Sequence, residues 1–598
     1  MLSRPELHGT HGAVSSTHWL ASAAGAAMFD RGGNAFDAAV AAAFVIQVVE
    51  PHVNGPAAEA PVMTFDASSG AVGIYAGQGP MPRRATIGAF RDLGLDFVPG
   101  SGLLAACVPG AFGAWMQVLQ HHGRLRLAEV LEPATGYAEH GYPLLPKAAA
   151  MIEVLAPLFR EEWTESARVF LDRGAAPRPG ARVHNRPLAA TFRRIVAAAT
   201  ATGRSREAEI EAAIQVFYEG FVAEAIDAFV TSAEVLDATG KRHSGLLTGD
   251  DLASWRPTLE SPVTASYRGF VVHKPGPWTQ GPVFLQQLAL LEGFDLGGMQ
   301  ALGADHIHTV VESAKLAFGD REAWYGDPNH VDVPLADLLS PRYASERRAL
   351  IGDRAADGLR PGAPGGRTPW LPPLPDNAYP PLEPAWLAQL AHGVPAVLQH
   401  TSQNGDTTCI SASDRDGNMV VATQSGGWLS SSPAVPGLGF ALGTRGQMAW
   451  LVEGHPNSLA PGKRPRTTLS PTIVQSPEGE PLLAFGTPGG DQQDQWTLNF
   501  LINHLDFGMS PQAAVEALTF HTGHVPSSFT PRQTPPPVIL IEEGLSADVL
   551  DGLRDRGHDI RQVPAHSLGK VCVTGHGIDG QVYAAASPRG EQAYGAVR

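Results

Sequence analysis

The sequence predicts a layered fold of mixed helices and strands, of the α/β or α+β class, in one large domain or two of ordinary size. Helix-like and strand-like hydrophobic patterns are interspersed in both halves of the chain, and no internal repeat is visible. Of the 598 residues, 43% are hydrophobic, which is enough apolar material for a large buried core. The 66 glycines and 50 prolines indicate many turns between compact elements.

The first half of the chain is predicted to be mostly helical, with one strand pair. A strand end is followed by a helix at 22–29. Asn34 then caps a second helix, with Asp37 in the position of a capping-box acid. The pattern at 62–75 predicts a hairpin around a Ser-Ser-Gly turn. Further helices are predicted at 109–195, 205–231 and 303–324.

The second half begins with a segment of a different kind. Residues 355–400 are dense in proline and glycine and have little apolar periodicity, which is typical of an exposed, partly extended linker. After it, strands are predicted at 408–413, 418–424, 472–475 and 481–485, and helices at 494–506 and 510–519. The chain closes with a strand–helix–strand pattern and a final strand at 582–586.

Charge and cysteine content exclude several classes of partner. The net charge of −16 argues against a nucleic-acid-binding protein and gives no support for docking on anionic lipid. The apolar run at 38–49 is too short to span a bilayer and fits a buried helix better. Cys107, Cys409 and Cys572 are too few and too scattered for a disulfide framework or a zinc site, and they suit a reducing compartment. We therefore predict a cytoplasmic protein that binds neither nucleic acid nor membrane.

Familiar catalytic and metal-binding motifs are missing from the sequence. It has no G-x-S-x-G elbow, no G-x-x-x-x-G-K-[ST] loop, no H-E-x-x-H and no C-x-x-C. His306 and His308 are predicted to point to opposite sides of a helix, so they form no metal pair there. For any single histidine a structural role is the better expectation.

One threonine, Thr407, stands where a catalytic group could be generated. It opens a predicted strand directly after the linker, in the block GDTTCISASDRDG. If the bond between Asp406 and Thr407 is cut, Thr407 gains a free α-amine beside its own hydroxyl, and that amine can act as a general base. Taken alone, a β-branched pair that opens a strand is an ordinary structural feature, so the motif needs support from its surroundings.

That support comes from blocks spread over nearly the whole chain. In order they are RGGNAFDAAVAAAFVIQVVEPH (31–52), ACVPGAFGAW (106–115), YRGFVVHKPGP (267–277), FGDREAWYGDP (318–328), DTTCISASDRDGNMV (406–420), APGKRPRTTLSPTIV (460–474), FGTPGGDQ (485–492) and ASPRG (586–590). In sequence and order these blocks resemble the γ-glutamyltransferase family of N-terminal-nucleophile hydrolases. The resemblance implies an α+β fold, a four-layer αββα sandwich.

The resemblance also implies how the chain is divided and what it binds. A large portion (1–406, with the linker at about 355–406) and a small portion (407–598) would form one αββα domain and stay together after cleavage. A homodimer of such pairs is a further expectation. The family implies a small-molecule amide substrate and neither a metal nor an organic cofactor.

Matched residue by residue, the resemblance implies a set of site residues. Thr407 stands at the position of the nucleophile, and Ser425 at that of a hydroxyl residue that hydrogen-bonds the nucleophile and assists processing. Thr467–Thr468 stand where a serine pair contacts the substrate carboxylate; the alternative is a capped turn before a proline. Gly489–Gly490 stand where backbone N–H groups form the oxyanion hole, which suits glycine because a bare backbone allows close approach; the alternative is an ordinary turn.

The substrate-binding positions depart from the family. Gln78 stands where an arginine usually holds the α-carboxylate, and a neutral amide cannot replace that charged bidentate pair. Gly427, Gly446 and Ala449 stand where Asn, Gln and Asp usually receive the substrate ammonium. Arg445 is a candidate ligand for an acidic group on a different acyl moiety, with an exposed surface position as the alternative.

The sequence thus predicts an amidohydrolase that forms a Thr407 acyl-enzyme and passes the acyl group to water or an amine. Two acyl specificities stay open: a γ-glutamyl-like amide, or another amide of the cephalosporin-acylase or oxamate type. The rival from another class is a non-catalytic homologue that folds as one uncut chain.

Overall fold

The computed structural model of the chain describes residues 2–203, 205–372, 407–530, 532, 537–590 and 592–598. Within these ranges two antiparallel seven-stranded sheets lie face to face, and helices cover the outer face of each. The predicted α+β class and four-layer αββα sandwich are therefore confirmed.

The elements follow in chain order. The strands are β1 (Leu7–Gly9), β2 (Gly12–Ser16), β3 (Ala60–Asp66), β4 (Ala71–Gly77), β5 (Tyr142–Pro143), β6 (Arg182–Val183), β7 (Val235–Leu236), β8 (Arg242–His243), β9 (Leu259–Glu260), β10 (Val263–Tyr267), β11 (Phe270–Lys274), β12 (Thr407–Asp414), β13 (Met419–Ser425), β14 (Thr472–Gln475), β15 (Pro481–Gly486), β16 (Phe520–Thr522), β17 (Val538–Glu542), β18 (Asp559–Val563), β19 (Cys572–His576), β20 (Val582–Ala586) and β21 (Tyr594–Val597). The α-helices are α1 (Trp19–Asp30), α2 (Ala35–Val49), α3 (Ile87–Asp92), α4 (Ala111–His122), α5 (Leu127–His140), α6 (Pro146–Glu161), α7 (Thr164–Phe170), α8 (Arg186–Thr200), α9 (Arg206–Tyr218), α10 (Phe221–Ser232), α11 (Gly249–Ala253), α12 (Gly281–Leu291), α13 (Ala304–Trp324), α14 (Leu335–Leu338), α15 (Pro341–Arg348), α16 (Gln493–Leu505), α17 (Pro511–Glu516) and α18 (Ala547–Asp555).

Strands from before and after residue 407 are interleaved in both sheets. Sheet I has the order β21-β2-β12-β13-β3-β4-β9, and sheet II the order β1-β20-β19-β15-β14-β11-β10. The division into 1–406 and 407–598 stays a prediction. Because each portion contributes strands to each sheet, two such fragments would share one core and stay together.

Alternation along the strands sorts their side chains between two cores. In β13, Val420 and Ala422 pack with α2, whereas Met419 and Val421 pack against sheet II. The same alternation in sheet II directs Phe485 outward toward α12 and α16. Successive side chains of a strand point to opposite faces, so a strand buried on both sides is apolar at nearly every position.

Several predicted elements are confirmed and others need correction. The Asn34–Asp37 capping box is present at the start of α2, and the hairpin predicted at 62–75 is the β3–β4 pair. The helix predicted at 510–519 ends at Glu516, and β16 begins at Phe520. The strand β21 was not predicted at all; its backbone pairs with β2, some 580 residues earlier in the chain.

The linker is described only in part. Residues 355–372 include a 3-10 turn at Pro364–Gly366, in which Pro364 is buried rather than exposed. Asp406 and the remainder of the predicted linker lie outside the described residues. None of the helices in the described ranges combines the length and the apolar character needed to cross a bilayer.

Candidate active site

Thr407 and Ser425 lie side by side at one end of sheet I. Thr407 is the first residue of β12 and stands opposite Ser425, the last residue of β13. Both are buried. Ser425 is fixed by two backbone hydrogen bonds with Glu59, of 2.8 and 3.0 Å, and its Oγ accepts a 3.2 Å hydrogen bond from Trp428 Nε1. We call this end of the sandwich the Thr407 edge.

The side chain of Thr407 shares a strand face with residues that contact sheet II. Two and four residues along β12, Cys409 contacts Cys572, and Ser411 Oγ donates to the Ala484 carbonyl at 2.7 Å. Strand alternation puts Thr407 on the same face, between the sheets. Thr408 points the other way, and its Oγ1 donates to the Gln424 carbonyl at 2.9 Å.

The Gly489–Gly490 loop follows β15, whose last residue, Gly486, lies next to β12: an added Cβ at Gly486 would be 3.0 Å from Cys409 Sγ. Gly489 has a φ of 137° and Gly490 a φ of 53°, a region that favours glycine. A Cβ at Gly489 would overlap the indole of Trp496, so the backbone lies directly on that ring. Among the described residues, neither glycine N–H donates a hydrogen bond to a protein group. The two amides are therefore available to an incoming oxygen.

A buried ion pair fixes this loop, and the sequence reading did not identify it. Asp491, directly after the two glycines, accepts from Arg321 Nη1 at 2.6 Å and from Ser528 Oγ at 2.6 Å. Arg321 in turn pairs with Glu322, as does Arg466. Burial alone raises the pKa of Glu322, but Arg466 and Arg321 outweigh it and lower that pKa to about 2. These charged residues lie in three separate sequence blocks, and no spacing within a block indicates that they pair: FGDREAWYGDP, APGKRPRTTLSPTIV and FGTPGGDQ.

Thr467 and Thr468 are buried near the same edge. The Thr467 N–H donates to the Trp278 carbonyl at 2.9 Å, and Thr467 Oγ1 accepts a long 3.4 Å hydrogen bond from the Leu469 N–H. Ser470 ties the segment to β13 through Thr423, whose Oγ1 accepts from the Ser470 N–H at 3.0 Å. Both threonines thus lie in a segment that is attached to β13, and their contact with a substrate stays a prediction.

Arg445 is buried, so the exposed position considered for it is wrong. Only 2% of Arg445 is exposed, and its Nε lies 3.3 Å from Glu59 Oε2. Its guanidinium lies 5.4 Å from the ring centre of Trp428 and 5.9 Å from that of Phe529. Burial raises the pKa of Glu59, and Arg445 acts to lower it. Arg445 Nη2 has no protein partner among the described residues.

Gln78 also lies at the Thr407 edge. Glu59 forms an isolated antiparallel β-bridge with Ser425. Because Ala60 pairs with Gly77, the next residue in that register, Gln78, stands opposite Glu59. Gln78 is fully buried; its Nε2 donates to the Gly79 carbonyl at 3.1 Å, and its Oε1 has no partner within the described ranges. Thus the sheet register sets Thr407, Ser425, Glu59 and Gln78 in a row across four strands.

The small residues around Arg445 leave no room for longer side chains. A Cβ at Gly446 would lie 2.7 Å from the Ala105 carbonyl oxygen and 2.9 Å from Met81 Sδ. Gly427 has a φ of 65° and packs on the backbone of Gly55. An amide side chain at position 446 would require the backbone to move.

One group of described residues has the spacing of a metal site, but its ligand atoms are already used. Atoms of His308, Glu312 and His558 lie within 4.8 Å of one another. His308 Nε2 contacts the Gly352 carbonyl at 2.7 Å, and its Nδ1 contacts His558 Nε2 at 2.8 Å. Lys315 lies 2.7 Å from Glu312, so a cation already neutralises the carboxylate. His306 is turned away and accepts from a backbone N–H at 3.1 Å.

The chain is similar to known proteins over nearly its whole length. The sequence profile of the family described as Gamma-glutamyltranspeptidase matches residues 21–597. The Glutathione hydrolase-like YwrD proenzyme of Bacillus subtilis (strain 168) is 30% identical over 98% of each chain. Among solved structures, that of LmbA2991HD is 47% identical with a TM-score of 0.92 and covers 100% of each chain. The cephalosporin acylase of Bacillus halodurans is 29% identical, with a TM-score of 0.82 over 100% of this chain and 97% of that one.

Proposed function

Because the chain belongs to the gamma-glutamyltranspeptidase family, we propose that Thr407 is the nucleophile of an amide-cleaving enzyme that first cuts its own chain before Thr407. The protein is an amidohydrolase of the N-terminal-nucleophile class, as its proenzyme relatives are. The observation that supports the assignment best is the pairing of Thr407 with Ser425 at the end of the sandwich where β15 leads into the Gly489–Gly490 loop.

The residues at this edge suit two successive acyl transfers. The Thr407 hydroxyl oxygen attacks the amide carbon while its proton passes to the Thr407 α-amine. The N–H groups of Gly489 and Gly490 bind the oxyanion that forms. When the C–N bond breaks, the amine returns the proton to the leaving nitrogen, and an ester to Thr407 remains. Water or an amine then attacks that ester, and Thr407 Oγ recovers its proton.

Self-cleavage uses the same nucleophile. The Thr407 hydroxyl oxygen attacks the carbonyl carbon of Asp406, the peptide C–N bond breaks, and the hydroxyl proton ends on the Thr407 nitrogen; water then hydrolyses the resulting ester to give fragments 1–406 and 407–598. Ser425, on the same strand face, is the candidate to hydrogen-bond the hydroxyl in that step. The interleaved strands keep the fragments together.

Within this class we favour an acylase or amidase over a strict γ-glutamyl enzyme. Gln78 offers a neutral amide where a γ-glutamyl enzyme would offer a guanidinium, and Gly446 has no space for an ammonium-binding side chain. Arg445 can still donate through Nη2 to an acidic group, although Glu59 balances its charge. Thr467 and Thr468 would contact the acyl group.

Intact-mass measurement after expression tests the proposal. Two fragments are expected, the smaller beginning at Thr407, while a Thr407→Ala chain should stay uncut and inactive. A wild-type chain that stays whole on long incubation, or an active Thr407→Ala variant, would overturn it. A panel of γ-glutamyl anilides, glutaryl amides and simple acyl amides separates the specificities; turnover of γ-glutamyl compounds alone would contradict the acylase assignment.

We place the enzyme in the cytoplasm because its three cysteines are free thiols and all are buried. Cys409 and Cys572 contact each other without forming a disulfide, which suits a reducing compartment. A homodimer of processed pairs stays a prediction that sedimentation measurements would test.

A further inference from the structure

A groove in the helical layer outside sheet I is lined by four arginines: Arg168, Arg178, Arg182 and Arg186. It lies between α6, α7 and the loop that leads into α8, and its volume is about 820 Å³. That volume is within the range of pockets that bind small molecules. None of the candidate catalytic residues lines this space, which we call the arginine groove.

Three of the four arginines lack a partner of opposite charge. Arg168 pairs with Glu165, but Arg178, Arg182 and Arg186 form no hydrogen bond or ion pair with another residue of the described ranges. A single acid, Asp172, is found among the described residues that line the groove. The groove is thus locally positive in a chain whose net charge is −16, and a concave positive surface attracts anions.

Backbone hydrogen bonds hold the arginines around the groove. Arg182 lies in β6, which pairs with β5. Next to that pair, the Gly180 N–H donates to the Leu144 carbonyl at 2.8 Å, and the Leu144 N–H donates to the Ala181 carbonyl at 2.9 Å. The loop that carries Arg178 is therefore attached to the rest of the fold at its end. A binding surface that is already in place loses less conformational freedom when a ligand arrives.

The first turn of α8 is a second feature that favours an anion. Asn185, Arg186 and Pro187 line the groove at the N-terminal end of this 15-residue helix. A helix N-terminus carries a partial positive charge and N–H groups that have no partner within the helix. Asn185 Oδ1 accepts from the Leu188 N–H at 3.1 Å, whereas the Arg186 N–H donates to no protein group in the described part of the chain.

Much of the remaining lining is apolar. Leu144 and Ile152 are buried, and Phe170 and Val183 are half-buried beside them. Apolar surface of this kind favours a ligand that has an apolar portion as well as a charge. An inorganic anion alone would leave this part of the groove unused.

The groove adjoins the segment that follows β13. Pro51 and Asn185 line the groove. The Pro51 carbonyl accepts from the Leu429 N–H at 3.2 Å, and Asn185 Nδ2 donates to the Gly439 carbonyl at 2.8 Å. A molecule in the groove would contact two residues that hold this segment, so its binding would stabilise the folded chain.

From these observations we infer that the arginine groove binds a small organic anion, a carboxylate or a phosphate ester with an apolar portion. Its charged group pairs with Arg178, Arg182 and Arg186, and its apolar portion lies on the apolar lining. This binding site goes beyond the proposed function, which uses none of the residues of the groove.

Isothermal titration calorimetry of the wild-type protein with matched compounds tests the inference. Octanoate and octyl phosphate carry the two candidate head groups on the same apolar chain. Octan-1-ol carries that chain without the charge, while acetate and inorganic phosphate carry the charge without the chain. At least one octyl anion should bind with a lower Kd than all three of these compounds, and the tighter octyl anion identifies the head group.

A triple variant, Arg178→Gln, Arg182→Gln, Arg186→Gln, removes the three unpaired charges from the groove. Exposed charge pairs each contribute little, but the loss of three predicts that the Kd of the octyl anion rises about tenfold. Added salt should weaken binding to the wild-type protein and have less effect on the variant, because salt screens exposed charges.

The matched control removes three exposed arginines elsewhere: Arg354→Gln, Arg415→Gln, Arg561→Gln. It changes the net charge by the same amount and should leave the Kd at the wild-type value. All six side chains are exposed, so both variants should unfold at the wild-type temperature without ligand. The octyl anion should raise that temperature less in the groove variant than in the control.

Three results would overturn the inference. They are no saturable binding of either octyl anion, a Kd that changes equally or not at all in the two triple variants, and a Kd for octan-1-ol, acetate or inorganic phosphate as low as that of the octyl anions. Binding at the Thr407 edge instead of the groove would give the second result. The proposed function stands apart from all three, because it fails only if Thr407→Ala is active or the wild-type chain stays uncut.

Discussion

Thr407 and Ser425 are paired residues at the shared end of β12 and β13, and both side chains lie on the face toward sheet II. The indole N–H of Trp428 already donates to Ser425 Oγ, so the serine proton is directed elsewhere. A hydroxyl in this position can hydrogen-bond the Thr407 hydroxyl during self-cleavage. Because Glu59 fixes the end of the strand, Ser425 needs to move little to do so.

Ser425→Ala should therefore slow self-cleavage by about ten- to a hundredfold, the usual worth of a hydrogen bond to a group that develops charge. The time course of fragment appearance by mass spectrometry measures this rate. Ser425→Thr keeps the hydroxyl and serves as the control. Processing of Ser425→Ala at the wild-type rate would show that the serine only fills space.

Gly489→Ala should abolish most activity, because the new methyl group would overlap Trp496 and displace the N–H donors. Loss of one oxyanion donor costs on the order of 10²–10³ in kcat. Gly454 is a matched control, since its φ of 81° is also positive but no atom lies within 4 Å of an added Cβ. Steady-state rates of Gly489→Ala and Gly454→Ala test this prediction. Equal losses of kcat in the two variants would show that backbone strain alone lowers the activity.

Arg445→Met should destabilise the fold, because it leaves Glu59 buried without its partner. Breaking one side of a buried ion pair typically costs 3–5 kcal/mol, whereas replacing both partners costs much less. We expect the double variant Glu59→Gln, Arg445→Met to recover most of the loss. Urea denaturation gives the free energies of unfolding. It is done in the Thr407→Ala background because that variant should remain a single uncut chain. A single variant as stable as its parent would show that Arg445 serves the substrate alone.

Glu322 should make the free energy of unfolding depend on pH in the acid range. Its pKa in the fold is about 2, below the ordinary value of 4.5, so its stabilising effect is complete above pH 4.5 and is lost as pH falls through 2. The contribution of Glu322 to the free energy of unfolding that is lost on acidification is on the order of 3 kcal/mol. Glu322→Gln should flatten the acid limb of the stability curve relative to wild type. Parallel curves for the two proteins would contradict this prediction.

Local patterns in the sequence located much of the fold and part of the site. The Asn34 capping box, the β3–β4 hairpin and the strands at Thr472–Gln475 and Val582–Ala586 depend on residues within a few positions of one another. Gly489–Gly490 were singled out by the resemblance of their block, and the positive φ of both residues explains why glycine stands there. Thr407 was found because ordered blocks surround it.

Contacts between distant parts of the chain decided the rest. The pairing of Arg445 with Glu59 joins residues 386 positions apart, and no periodicity in either segment reports it. Cys572 contacts Cys409 only because sheet II packs on sheet I. The sequence by itself determined most of the elements and their order, and it singled out Thr407. Tertiary structure alone decided which charges are buried together, because burial and field strength depend on every layer that closes over a site.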